Sequence, residues 1–394
     1  MTERSDGLGL DRLEEMRVSR RRFLRGSALV LGASPFMAAV LAACDSGGDE
    51  PSGGTGGATG TTAGAATGAT APEFDTSQPF IVADWGGNTA AVRLQTWGAK
   101  FTENTGVPVE NTAIDYGKFV AQIESDNVTW NWIDAEGWFA FAHDDLLVDL
   151  PYDEIGISES DIYPIANAFL PKALLSYHSA YAIGHRTDVD LQAPRDWVEF
   201  FDTKGIPGKR SLFNWPYGTV EVALLADGVT YEELYPLDLD RAFDKIDSIR
   251  DDLVFWNSGA ESQQFLVAGT VDFIQAWHNR IAYLAVGGLP VGIQWGQNLQ
   301  ILTHHLISQN QPRPELCVEW IKACLDPNAL AAYATASLNS PPTSAAYDLL
   351  DDGTKAFMST NPENLGASVG VIDDAWWGEN LDSVIDTWYE WVGA

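Results

Sequence analysis

From residue 79 onward, short apolar runs alternate with amphipathic ones, and this alternation constrains the fold more than any other feature of the chain. Residues 79–84 read as a strand, and Trp85-Gly86-Gly87-Asn88 as a turn with Asn88 placed to cap a helix. Residues 89–104 carry helical spacing at Ala91, Leu94, Trp97 and Phe101, and Gly106 is a natural stop. A second strand over 107–112, a helix over 117–124 and a third strand over 130–134 follow. The pattern returns later: strand 209–214 leads to helix 220–225, strand 252–256 leads to a helix from Ser258, and 271–277 is strand-like. The end of the chain is mostly helical and rich in Trp. A βαβαβ order implies an α/β fold with a parallel sheet covered by helices.

Composition supports a folded chain. Of 394 residues, 45% are hydrophobic and only 20% charged, so there is ample apolar material for a core. The formal net charge of −32 argues against electrostatic binding of nucleic acid or of an anionic membrane surface.

The first 72 residues read as an address and a tether. Arg20-Arg21-Arg22-Phe23-Leu24 carries a twin-arginine pair, followed by an apolar stretch over 28–41 broken by Gly32 and Pro35. That stretch falls short of the roughly 20 residues that span a bilayer and fits an export signal. It ends in Leu41-Ala42-Ala43-Cys44, which looks like a lipobox with Cys44 as the lipidated residue. The expected mature chain begins at Cys44, anchored by its lipid on the outer face of a prokaryotic membrane. Residues 45–72 are almost entirely Gly, Ala, Thr, Ser, Asp and Pro, a composition with nothing to bury. A flexible coil of that length reaches roughly 30 Å.

The remaining cysteines, Cys317 and Cys324, lie on one helix-like run. Seven residues at 1.5 Å rise set them roughly 10 Å apart, too far for a disulfide, so both are expected as buried thiols. There is no CxxC, HExxH or GxSxG, and no metal, cofactor or catalytic residue is expected.

In a parallel sheet, ligands bind at the carboxyl ends of the strands. That rule selects Trp85, Gly86 and Asn88 after the first strand, and Asp134 and Glu136 after the third. In the second half it selects Trp215, Tyr217, Ser258, Trp277, Asn279 and Arg280. Convergent aromatics with a few polar groups suit a small amphipathic or charged solute. A Trp face holds a cation or an alkyl chain, a carboxylate pairs an ammonium, and Arg280 has the fork geometry that binds a carboxylate. The alternative for Arg280 is a salt bridge to a neighbouring acid.

Residues 77–394 resemble the extracytoplasmic solute-binding proteins of ABC importers, within them the spermidine/putrescine-binding group. The segments that carry the resemblance are Trp85-Gly86-Gly87, Leu225-Ala226-Asp227-Gly228-Val229, Trp256-Asn257-Ser258-Gly259-Ala260, Trp277-His278-Asn279-Arg280 and Asn339-Ser340-Pro341-Pro342, in that order. The resemblance implies a two-lobed receptor of the periplasmic-binding-protein type II fold with two hinge crossovers, near 181–186 and 292–297. Lobe 1 would hold 77–183 and 296–394, and lobe 2 would hold 184–295. It also implies a monomer that does no chemistry, closes on its solute and hands it to a permease driven by an ATPase subunit.

The polyamine expectation has a weak point in the charges. Trp85 and Trp277 match the aromatic positions of that group, but the 214–215 and 258–259 turns carry no Asp, and Arg280 puts a permanent cation where a diamine would go. If Arg280 faces the solute, a carboxylated or zwitterionic ligand such as an amino acid derivative or an opine follows. A sugar receptor of the same architecture, an iron receptor and an anchored hydrolase are the other readings. The last two lack an adjacent Tyr pair and a catalytic motif respectively.

Overall fold

The computed structural model describes residues 74–393. The twin-arginine segment, Cys44 and the tether lie outside the described residues. Within them, no helix is long and apolar enough to cross a membrane.

The first sheet follows the expected alternation. Strand β1 (Phe80–Asp84) leads into α1 (Gly87–Arg93), which continues through a π turn (Leu94–Gly98) into α2 (Ala99–Thr105). Then come β2 (Val109–Ala113), α3 (Tyr116–Glu124) and β3 (Trp132–Ile133). The three strands run parallel in the order β2-β1-β3. Two details differ from the sequence reading. The position before α1 is Gly86 at φ +71, with its N–H held by Asp84 Oδ1 at 2.8 Å, so Asn88 lies inside the first turn and caps nothing. The buried face of the helix is Thr89, Arg93, Trp97 and Phe101, while Ala91 is exposed and Leu94 half-buried. The shift has a local cause: two left-handed glycines start the helix early and the π turn rotates its second half.

After β3 the chain leaves the first sheet. Strand β4 (Ala135–Glu136) pairs antiparallel with a strand of the second sheet, Glu136 opposite Thr303, and α4 (Trp138–Ala142) follows. Asp134 and Glu136 therefore sit where the two sheets meet.

The second sheet is mixed rather than all-parallel. Its long strands are β5 (Leu174–Arg186) and, later, β9 (Val291–His305), paired antiparallel with a register shift between Tyr181 and Ile183. The segments expected as crossovers, 181–186 and 292–297, fall within these two strands. Between them lie β6 (Arg210–Phe213), α5 (Pro216–Ala226), β7 (Leu253–Trp256), α6 (Gly259–Val267), β8 (Phe273–Trp277) and α7 (His278–Val286). The sheet order is β10-β9-β5-β8-β6-β7, with β8 antiparallel to β5 and parallel to β6. The chain ends with α8 (Pro314–Leu325), α9 (Pro327–Ser337), β10 (Ser368–Val371) and α10 (Asp374–Val392). The result is the two-lobed periplasmic-binding-protein type II fold. One core gathers Phe80, Trp97, Phe101, Trp132 and Trp320 behind the first sheet. The other gathers Trp197, Phe213, Trp256, Phe273 and Trp377 around the second. Cys317 and Cys324 are buried free thiols.

Glycine is required at the junction into α4. A Cβ on Gly137 would collide with the Asp374 carboxylate, which sits against the start of α4 at the foot of α10. Gly137→Ala is expected to destabilise the fold by about 1–3 kcal/mol, read in a urea melt, because neither side of the contact has room to yield.

Candidate functional site

A cleft opens where β1, β4, β5, β8 and β9 converge. Of the residues chosen from sequence, Trp85, Gly86, Asp134, Glu136, Trp277, Asn279 and Arg280 line it. Asn88 stands one step behind, its Oδ1 accepting from Arg280 Nη1 at 2.8 Å. Three candidates are elsewhere. Tyr217 is fully buried and donates to Asp374 Oδ1 at 2.8 Å, because the chain kinks at Gly218, φ +83, and turns its ring into the core. Trp215 packs half-buried on that core. Ser258 is exposed and spends its hydroxyl capping α6 through the Glu261 N–H at 3.2 Å. The strand-end rule located these turns but not which side chains point inward.

The aromatic walls are Trp85, 42% exposed at the mouth, and Trp277, whose ring centroid is 6.2 Å away. Tyr116 meets Trp85 edge-on at 5.9 Å and accepts the Glu136 N–H at 3.0 Å, so one phenol supports both a wall and an acid.

Charge in the cleft is divided in a specific way. Arg93, missed in the sequence, is 1% exposed and lies on the buried face of α1. It is ion-paired to Asp84, and to Asp134 at 2.7 Å, with its guanidinium 5.0 Å over the Trp132 ring. Asp134 also accepts from Tyr177 at 2.9 Å, and the other oxygen of Asp84 takes the Gly86 N–H. Both acids are thus held by one internal cation, and burial together with the Asp84 charge raises the Asp134 pKa against the opposing pull of Arg93. Glu136 has no cation beside it among the described residues, and its one side-chain donor is the Trp138 indole at 2.9 Å. Burial pushes its carboxyl up to about 7; the Trp138 bond opposes this and the Asp134 charge adds to it.

Arg280 is the opposite case. It is 5% exposed, makes no salt bridge among the described residues, and has no partner for Nε. Gly259 leaves room for its guanidinium, which lies 5.8 Å from the Trp277 ring centroid. Burial lowers its pKa, opposed by the nearby Tyr177, Tyr333, Asp134 and Asp84, none of which forms an ion pair with it. The salt bridge considered from sequence does not form, because Asp84 and Asp134 are engaged by Arg93. Such a group costs several kcal/mol when desolvated alone, and a ligand carboxylate would offset that cost. Thr89, Tyr177, Ser179, Ile301, Leu302, Thr303 and Asn339 complete the lining. Of these, Thr89 follows the first strand and was within reach of the strand-end rule; the rest come from β5, β9 and the loop after α9, with no local motif to mark them.

The chain matches a family model, Bacterial extracellular solute-binding protein, over residues 96–364. It belongs to that family. A curated relative of this solute-binding protein is the gamma-aminobutyric acid-binding protein of Pseudomonas aeruginosa, 26% identical, with 79% of this chain and 91% of the relative covered. A solved GABA receptor is 31% identical, superposes with a TM-score of 0.73 and is matched over 97% of its length and 80% of this one. The spermidine/putrescine-binding protein PotD of Streptococcus pneumoniae is more distant, at 18% identity and a TM-score of 0.61 over 80% of this chain, and shares the fold alone. The solute-binding expectation holds, and the more similar relatives stand with its zwitterion alternative rather than with polyamines.

Proposed function

We propose that this protein is the extracytoplasmic receptor of an ABC importer for GABA or a similarly short ω-amino acid. Arg280 holds the carboxylate, Glu136 holds the ammonium, and the methylene chain lies between Trp85 and Trp277. The observation that carries this reading is the pairing of an uncompensated buried cation with an uncompensated buried acid in one cleft. A diamine would meet Arg280 as a like charge, and a neutral sugar would leave both charges unmatched. Size weighs against a sugar and does not separate a short diamine from a short amino acid. The space open to the centre of a water molecule is about 40 Å³, where one water needs about 10–15 Å³. That suits a molecule of a handful of heavy atoms. The relatives that bind GABA agree with it.

The rest of the reading follows from the role. Residues 77–183 with 296–394 form one lobe and 184–295 the other, and the solute favours closure by touching both. The receptor is a monomer tethered through a lipid on Cys44, delivers its solute to a permease and catalyses nothing. Titration calorimetry of the purified protein with GABA, putrescine, glutamate and glucose tests this. Stoichiometric binding of GABA is expected. Binding of putrescine with none of GABA would overturn it.

A pH prediction follows. The ammonium binds the ionised form of Glu136, so affinity is full well above about 7, is halved near it, and falls further as Glu136 takes up its proton. The dissociation constant for GABA should rise by roughly tenfold per pH unit on going down from pH 6.5 to 5.5, and Glu136→Gln should abolish that slope while weakening binding throughout. A flat profile in the unaltered protein would remove Glu136 from the ammonium subsite.

A further inference from the structure

His278 lies between two residues of the cleft wall, Trp277 and Asn279, yet does not line the cleft itself. It is 0% exposed. Its Nδ1 accepts from the Ala180 N–H on β5 at 3.1 Å, with the hydroxyl of the cleft-lining Ser179 also 3.3 Å from it, and its Nε2 is 2.9 Å from the Leu338 carbonyl after α9. A backbone N–H only donates and a carbonyl only accepts, so the ring is neutral with its proton on Nε2. Burial keeps it neutral, lowering its pKa to about 4. The ring also lies 5.3 Å from Trp295 on β9.

Three parts of the chain therefore meet on one imidazole: both long strands, and the loop whose next residue is the cleft-lining Asn339. Leu338 holds a left-handed conformation, φ +61, while offering its carbonyl, a cost that a non-glycine residue carries only when the surroundings impose it. Downstream on the same helix, Arg280 is fixed otherwise by a single side-chain bond to Asn88 and a backbone bond from Gln263.

We propose that His278 is a positioning residue for solute capture: its Nε2–H tautomer pins the first turn of α7 to β5 and to the Leu338 loop, and so aims Arg280 and Trp277 at the solute. This rests on the solute reading above for its binding arm only. It acts through Arg280 and touches no solute.

The test has two arms. In calorimetry with GABA, His278→Phe keeps the ring volume and removes every hydrogen bond of the imidazole, and should weaken binding 10- to 100-fold at a temperature where it remains folded by circular dichroism. His278→Asn restores an acceptor near Nδ1 and should recover part of that loss. The double variant with Arg280→Lys should lose far less than the product of the two single effects, since both act at one point. Multiplicative effects would show that His278 supports the fold without aiming Arg280, and would overturn the proposal. The second arm uses no solute. Nitrogen-15 spectra should show the Nε2–H tautomer in the unaltered protein, and His278→Phe should move the Arg280 Nε–H and Trp277 indole resonances. Unmoved resonances would overturn the proposal. If GABA fails to bind the unaltered protein while the second arm succeeds, the solute assignment is wrong and the positioning role stands.

Discussion

Arg280→Met should abolish GABA binding while leaving the solute-free protein at least as stable as before. The two halves of this result have one cause. In the free protein the guanidinium is buried with one side-chain hydrogen bond and no acid, so its removal takes away a desolvated charge and not a salt bridge. Replacing such a group by an apolar side chain of similar length is neutral or stabilising. In the proposed complex the same group is the carboxylate's partner. Truncating one side of a buried, hydrogen-bonded charge pair costs about 2–5 kcal/mol, which is about 30-fold or more in the dissociation constant. Arg280→Lys should recover little, because a point charge does not reproduce the fork that grips a carboxylate. Calorimetry and a thermal melt on the same preparation read both halves. Tight GABA binding by Arg280→Met would place the carboxylate elsewhere.

Arg93→Met should have the opposite profile, a large loss of stability. Asp84 and Asp134 meet on this one guanidinium at the carboxyl ends of β1 and β3. Without it, two desolvated carboxylates face each other beside the Trp97, Trp132 and Tyr333 rings. Breaking a buried pair from one side costs about 3–5 kcal/mol, a large fraction of the stability of an ordinary domain. A urea melt reads it directly. Adding Asp84→Asn and Asp134→Asn to Arg93→Met should regain much of the loss, since the repulsion is gone even though the hydrogen bonds are poorer. A triple variant no more stable than the single one would mean that Arg93 matters for packing rather than for charge.

The same two arginines show how far the sequence could be read. Arg280 was visible because it follows a Trp at a strand end, a position the parallel-sheet rule marks. Arg93 was not, because the helix face inferred from Ala91 and Leu94 is turned by the early start at Gly87 and the π turn at Leu94–Gly98. The spacing Thr89, Arg93, Trp97, Phe101 was present but reads as a charged residue on an apolar stripe until its two acids are brought to it. Asn88 fits a cap by position, and only the left-handed Gly86 frees its side chain to reach Arg280. Tyr217 and Ser258 sat at the right strand ends, and one kink and one local cap turned them away.

Local chemistry is what the sequence determined. The strand and helix alternation, the glycine stops, the unpaired thiols and the turns that carry Trp85, Glu136, Trp277 and Arg280 all depend on neighbours within a few residues, where periodicity and turn propensity act. The sign of the site is a different matter. Five charged groups, Arg93, Asp84, Asp134, Glu136 and Arg280, could be paired in several ways on paper, and each pairing implies a different solute. Burial decides among them, because in a low-dielectric interior a charge either finds a partner or waits for one. Tertiary packing gives both aspartates to Arg93, and leaves Glu136 and Arg280 without an ion-pair partner among the described residues, which is the ground for the solute proposed above.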